Sequence, residues 1–447
     1  IMYKIYTLYY FIEKIREYEE AIYDKIKDSI CYKFKDNKEF RHAINLWFYF
    51  NSDTGGINNK YGNISLWNTV NVRDMNHVFY KKEFNKNINF WDVSNVKNMC
   101  GLFKECENFN QPLDKWNTEN VINMGRMFED ARLFSQYIGK WNVKNVKNMK
   151  DMFKNARYYN SMMTYWDTSN VVNMEGMFYN CYDFNQNIRN WDVSNVRNMK
   201  EMFYNCQEFN KDIHKWNTEN VEDMEKMFYG NITFNGKIGE WDVRNVKNMK
   251  AMFAFTKKFN QPLNEWNLRN LEEIGSMFHH AENFNQPLNK WKFPKLTNLN
   301  HLFSHTHCFN QELNDWDISN IEYLIGTFER SHAFNKDLNK WNVSNVENLS
   351  YMFYCSVKFN GNICNWNVKK VKKFTCLFSD SHSFNQDLSK WEIQKDSYLS
   401  YMFYNSRSFC QNLSNWDLID TNFGKKMFDR NFLMKEEYKP KNYLKSI

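Results

Sequence analysis

Residues 191–203 read WDVSNVRNMKEMF, and residues 209–216 read FNKDIHKW, which returns the chain to a second tryptophan 25 residues after the first. Between the two, apolar side chains stand at Val193, Val196, Met199, Met202, Phe203, Phe209 and Ile213. The same interval recurs along most of the chain, with Trp at 91, 116, 141, 166, 191, 216, 241, 266, 291, 316, 341, 366, 391 and 416. Trp67 precedes this series by 24 residues, and only Trp47 lies outside it. A register without insertion or deletion leaves no room for a variable loop, so each repeat must stack directly on the one before it. Positions are numbered below from the tryptophan of each repeat, so that Met199 is +8 and Phe203 is +12.

Two local patterns can be read inside one repeat. Ile213, Trp216 and Thr218 end in an alternation that suits a short parallel strand, whereas Val196, Met199, Met202 and Phe203 recur at intervals that fit one or two turns of helix or 3₁₀ helix. The sequence therefore predicts an α/β, leucine-rich-repeat-like, right-handed solenoid of about 14 to 15 coils, with one parallel sheet and short helices opposite. Its core would be stacked columns that include Trp116, Trp141, Trp191, Trp216, Trp241, Phe203, Phe228 and Phe253. A helical cap is expected over 1–46, the repeats over 47–428, and a cap or interaction tail over 429–447. The cap prediction rests on apolar residues at 11, 12, 15, 18, 22, 26 and 30 with Glu and Lys between them.

The segments WDVSNVKNMCGLF (91–103) and WDTSNVVNMEGMF (166–178), joined by FNQPL (109–113) and FNQNI (184–188), resemble the BspA-like surface repeat family. The likeness runs from Ile64 to Phe428, and the lead-in EFRHAINLWFYF (39–50) resembles the entry segment of such arrays. The resemblance implies surface display and protein binding, with no catalytic residues to carry over. It weakens late in the chain, where Lys295, Lys370, Lys395 and Asp420 replace Asn at +4 and Asp396 replaces Val at +5.

Glycine numbers 14 and proline 5 in 447 residues, too few to turn this backbone at every corner. Asparagine columns at +4 (Asn95, Asn120, Asn145, Asn170, Asn195), +7 (Asn98, Asn123, Asn148) and +19 (Asn110, Asn185, Asn210) are expected to do so through amide ladders. A net charge of +7 on 111 charged residues is too thin for the dense basic stripe of a nucleic-acid protein. The ten cysteines form no CxxC pair; Cys181 and Cys206 share one column and read as stacked reduced thiols, which favours an intracellular or virion setting. No apolar run is long enough for a transmembrane helix. Asp92, Asp167, Asp192 and Asp242 lack the glycines that calcium-binding repeat loops need.

Six of the ten histidines lie between 279 and 332, namely His279, His280, His301, His305, His307 and His332. His280 and His305 share position +14; His307, His332 and Glu282 share +16, so His280, His305, His307, His332 and Glu282 are the metal-ligand candidates against a plain solvated edge. Lys115, Lys140, Lys215, Lys290, Lys340 and Lys390 each precede a tryptophan and should form an exposed stripe on the sheet face, a candidate docking surface for protein partners. No Walker loop, nucleophile elbow or paired catalytic motif is present, and no cofactor is predicted. Two functions fit: a non-catalytic interaction scaffold, or a structural component of a larger assembly such as a virus particle or surface layer.

Overall fold

A computed structural model describes residues 31–50, 60–418, 426–441 and 443. The chain divides into two compact units, Ile1–Trp191 and Asp192–Ile447, both built from the 25-residue repeat. The predicted strand and helix are absent. Among the described residues there is no β-strand and no sheet, and the one α-helix, α1 (Asn37–Tyr49), lies ahead of the repeats. Each repeat is instead a succession of tight turns. In the repeat of Trp216, backbone N–H groups reach the carbonyl three residues back from Trp216 to Ile213 (3.1 Å), Val221 to Thr218 (3.0 Å), Met227 to Met224 (3.1 Å), Asn231 to Phe228 (3.0 Å) and Phe234 to Asn231 (3.4 Å). Every one of these turns begins and ends on a buried side chain. The apolar spacing of three thus marks the corners of successive turns, and neither a pleat nor a helix face is needed to explain it.

What joins one repeat to the next is a ladder on a single face. N–H groups at +8, +10, +12 and +14 donate to carbonyls at +7, +9, +11 and +13 of the following repeat: Met224 to Asn248 (2.9 Å), Lys226 to Lys250 (2.8 Å), Phe228 to Met252 (3.0 Å) and Gly230 to Ala254 (2.9 Å). Along the ladder the +7 residues satisfy parallel pairing, as isolated bridges such as Asp223 with Asn248, and two more bridges, Lys33 with Asn68 and Asp417 with Lys441, lie towards the ends. The ladder cannot widen into a strand because every repeat holds +10 and +14 in the left-handed region, from His77 and Lys81 to Lys426 and Arg430. Glycine fills those positions only at Gly101, Gly176, Gly230 and Gly326. Left-handed backbone costs a residue with a side chain about 1–2 kcal/mol, and a backbone hydrogen bond returns about 1 kcal/mol net, so the ladder roughly offsets its own strain. Stability must come from the core.

That core is columnar. Trp116 and Trp141 stack 6.1 Å apart with planes 7° from parallel, and Trp216 and Trp241 stack at 6.1 Å and 3°. Phe203, Phe228 and Phe253 form a second column at 5.6 and 5.8 Å. Indole N–H groups along the column are also used: Trp141 Nε1 donates to the carbonyl of Leu113 (2.9 Å) and Trp241 Nε1 to that of Ile213 (3.1 Å), each 28 residues back. Asparagine at +4 donates its amide one repeat back, as Asn245 does to Glu219 (2.7 Å), while Asn210 Oδ1 accepts the N–H of Asn235 (2.9 Å). A column of small residues at +15 carries Cys106, Ala131, Ala156, Cys181 and Cys206 early and Ser331, Ser356, Ser381 and Ser406 late. Cys181 Sγ and Ser356 Oγ each donate to a phenylalanine carbonyl of the preceding repeat, at 3.0 and 2.5 Å, which gives thiol and hydroxyl one role. All ten cysteines are unbridged.

The ends are closed differently. Helix α1 is capped by Asp36, whose side chain accepts from Glu39 N–H at 2.9 Å, and it buries Phe40, Ala43, Ile44 and Trp47. Phe40 meets Trp91 at 5.5 Å and Trp47 meets Phe84 at 5.8 Å, so α1 covers the first repeats and crosses the expected boundary at 46. The helix predicted from residues 11–30 lies outside the described residues, as does Asp420. Near the other end, Asp396 points outward and the buried Ser397 takes its place, because the turn slips by one residue to Gln394–Ser397. Trp416 Nε1 is buried there without a hydrogen-bond partner. Beyond it, Leu413 N–H donates to Tyr438 (2.7 Å), Lys441 N–H to Trp416 (3.1 Å), and Tyr443 sets its ring against Phe428.

Candidate functional site

Lys115, Lys140, Lys215, Lys290, Lys340 and Lys390 are all exposed, but they sit in the turn before a tryptophan and not on a sheet face, since the described residues form no sheet. Two of them pair with the acid one repeat earlier: Lys290 with Glu265 at 2.5 Å and Lys340 with Asp315 at 2.8 Å. Pairs this exposed contribute little to stability.

The ladder face carries more varied chemistry. Its side chains, at +9, +10, +13 and +14, are held by identical backbone bonds yet differ between repeats: Lys200, Glu201, Tyr204 and Asn205 in one, Asn300, His301, Ser304 and His305 in another. Lys104 meets Glu129 at 2.8 Å, Lys150 meets Glu175 at 2.9 Å, and Tyr204 stacks on Tyr229 at 4.6 Å. Where glycine occupies +10, the residue before it in the column folds over the gap, as His301 does over Gly326.

On this face three imidazoles converge. His279, His280 and His305 each present one ligand atom within 4.8 Å of the others, and all three are half-buried. The His280 and His305 rings stack at 4.1 Å, and His279 lies edge-on to both, at 4.5 and 5.3 Å. Phe255 closes one side, stacking on His280 at 4.8 Å. Burial together with the neighbouring imidazoles holds His279 and His305 down to about 4, and burial first of all lowers His280.

Of the residues proposed from sequence, the structure joins His280 and His305 and sets the others apart. His307 and His332 stack on each other at 4.6 Å, and Glu282 pairs with Lys257 at 3.5 Å, all in the +16 column. His279 was not among the sequence candidates. Column matching compares equal positions in successive repeats, whereas His279 at +13 reaches His305 at +14 of the next repeat on a diagonal. That diagonal becomes visible only once +13 and +14 share the ladder face.

A family profile described as "Mycoplasma protein of unknown function, DUF285" matches residues 45–165, 134–230, 156–266, 206–307, 291–377 and 324–439. No curated protein matches the chain. Among solved structures, a TLR13–ssRNA13 complex is 9% identical with a TM-score of 0.24, covering 72% of this chain and 49% of that one. The Toll–Spätzle complex of Drosophila is 9% identical with a TM-score of 0.19, covering 71% and 43%. The plant peptide hormone receptor RGFR1 bound to RGF2 is 7% identical with a TM-score of 0.16, covering 75% and 78%. The chain thus spans about half the length of the first of these, and overlaps this weak assign neither fold nor partner. No helix among the described residues is long and apolar enough to cross a membrane.

Proposed function

We propose that this chain, which belongs to the DUF285 family of repeat proteins of unknown function, is a non-catalytic scaffold whose ladder face binds protein partners. The supporting observation is the split between fixed and varied positions. Corner residues repeat because they are buried, while +9, +10, +13 and +14 range over Lys, Glu, Tyr, His, Asn and Cys on an unchanging backbone. An array that holds its shape independently of one face can present many chemistries there. The likeness of the WDVSNV segments to BspA-like surface repeats adds display at a surface to this reading, and the six lysines that precede a tryptophan, Lys115 to Lys390, would be a second docking surface.

A second reading, packing into a larger assembly, draws on exposed apolar side chains gathered in neighbouring repeats. Leu133, Tyr137, Tyr158, Met162 and Tyr165 all lie between 40 and 84% exposed. The test is the mass of native protein taken from its source by light scattering, followed by crosslinking mass spectrometry. Crosslinks to a partner at ladder-face lysines such as Lys104, Lys150 and Lys200 support the scaffold. Crosslinks confined to the Lys115–Lys390 stripe would move the docking surface, and copy-to-copy contacts around Tyr158 and Tyr165 would favour the assembly.

A further inference from the structure

We propose that His279, His280 and His305 form a binding site for a divalent transition-metal ion of the zinc class. Three imidazoles whose ligand atoms lie within 4.8 Å of one another need only small side-chain rotations to share one ion. Three nitrogen donors with an open fourth position are a known way of holding zinc, and imidazole equally suits cobalt, nickel and copper.

The surroundings orient the donors. Ser304 Oγ donates toward a Glu329 carboxylate oxygen at 3.5 Å and lies 2.9 Å from His305 Nδ1. In the tautomer that carries the proton on His305 Nδ1, the hydroxyl accepts from it and can donate to Glu329, which leaves the Nε2 lone pair for a metal. Such carboxylate-backed histidines are the usual outer shell of zinc sites. Glu329 is itself held by His301, whose Nδ1 is 3.4 Å from it. His279 Nδ1 is buried with no protein group bonded to it, so a metal would satisfy a nitrogen the fold leaves unmatched. Phe255 supplies an apolar wall against His280 and His279.

The charge around the site suits neutral donors. Lys257, Arg330, His301 and His307 disfavour protonation of one or another of the three rings, and Glu282 and Glu329 favour it. Burial is the largest influence on each ring and favours the neutral imidazole that binds a metal. His280 and His305 sit at left-handed positions that the backbone fixes, which pre-organises two of the three donors.

The experiment titrates the full chain with Zn²⁺ alone and with Co²⁺ alone. Calorimetry should give one equivalent, Co²⁺ should give visible absorption of a nitrogen-ligated ion, and X-ray absorption should place three imidazole nitrogens about 2.0–2.1 Å from zinc. His279→Gln and His305→Asn should each weaken binding by about tenfold or more, since each removes a donor. The double variant His307→Gln, His332→Gln should bind as the parent does. Circular dichroism without metal checks that each variant is folded, and His280→Asn, which keeps a residue tolerant of left-handed backbone, replaces any that is not. Absence of one-equivalent binding in the parent overturns the site, as does binding that survives His279→Gln and His305→Asn or is lost in the +16 double variant.

Discussion

Between Lys200 and Lys226 the ladder face is zipped by charge, whereas from Phe255 to His305 the same face is lined with rings. In the first stretch Lys200 meets Glu225 at 2.8 Å and Lys226 meets Glu201 at 3.5 Å. In the second, Phe255, His280 and His305 stack in succession at 4.8 and 4.1 Å. The backbone beneath does not change: Glu201 N–H donates to Glu225 at 2.8 Å and His280 N–H to Ser304 at 2.9 Å, and φ is +56° at Glu201 and +55° at His280. The turns, the left-handed positions and the buried columns therefore specify the fold, and the ladder-face side chains are left to serve something else.

If that division holds, the core should respond identically under both stretches. Trp216→Ala and Trp291→Ala each remove a stacked, nearly fully buried indole, and each should cost about 3–5 kcal/mol in chemical denaturation. The comparison breaks if the two differ by more than about 2 kcal/mol, the spread that one large-to-small substitution shows among buried sites.

A smaller effect probes a place where a ladder-face side chain leans on its neighbour. Ala251 and Gly326 both stand at +10 with left-handed φ, +53° and +57°. Alanine is native at the first, but a Cβ on Gly326 would run into the His301 ring. Gly326→Ala should cost about 1–2 kcal/mol in thermal or chemical unfolding, the left-handed penalty, and His301 must swing away as it does so. A cost within that penalty would mean that His301 moves aside freely and that its contact with Glu329 is not fixed by the fold, whereas a larger cost would mean that His301 is held against the glycine.

The repeat, its length and its inward residues were all legible in the sequence because burial repeats with the period. The secondary structure was not. A spacing of three is shared by 3₁₀ helix and by a run of separate turns, and only the backbone at +10 and +14 separates them. Those positions hold Asn and Asp in several repeats, residues that tolerate left-handed backbone, but also Phe255, Tyr351 and Tyr401, which give no such signal. The slip at Asp396 was legible as a weakened motif, though not as a one-residue shift with Ser397 buried in its place. The histidines were visible as a cluster, but the approach of His279 to His305 was not, for want of the diagonal between repeats.

The smallest effect separates the two stretches by pH. Burial pushes the Glu225 carboxyl up, but the hydrogen bond and charge of Lys200, aided by Lys226, more than offset this and hold it below the usual 4.5. A carboxyl whose folded value is depressed contributes stability that is fully present above its unfolded value and is lost as pH falls through the folded one. The contribution is at most about 1 kcal/mol, because solvent at the face screens the pair. Glu225→Gln should therefore lower stability by that amount at pH 7 and by progressively less below pH 4.5, until parent and variant coincide in acid. Denaturation curves at pH 7 and at intervals down to pH 3 read the difference directly. Were the gap between parent and variant to stay constant across that range, the pair would act through packing and not through charge, and the ladder face would share in the work of folding after all.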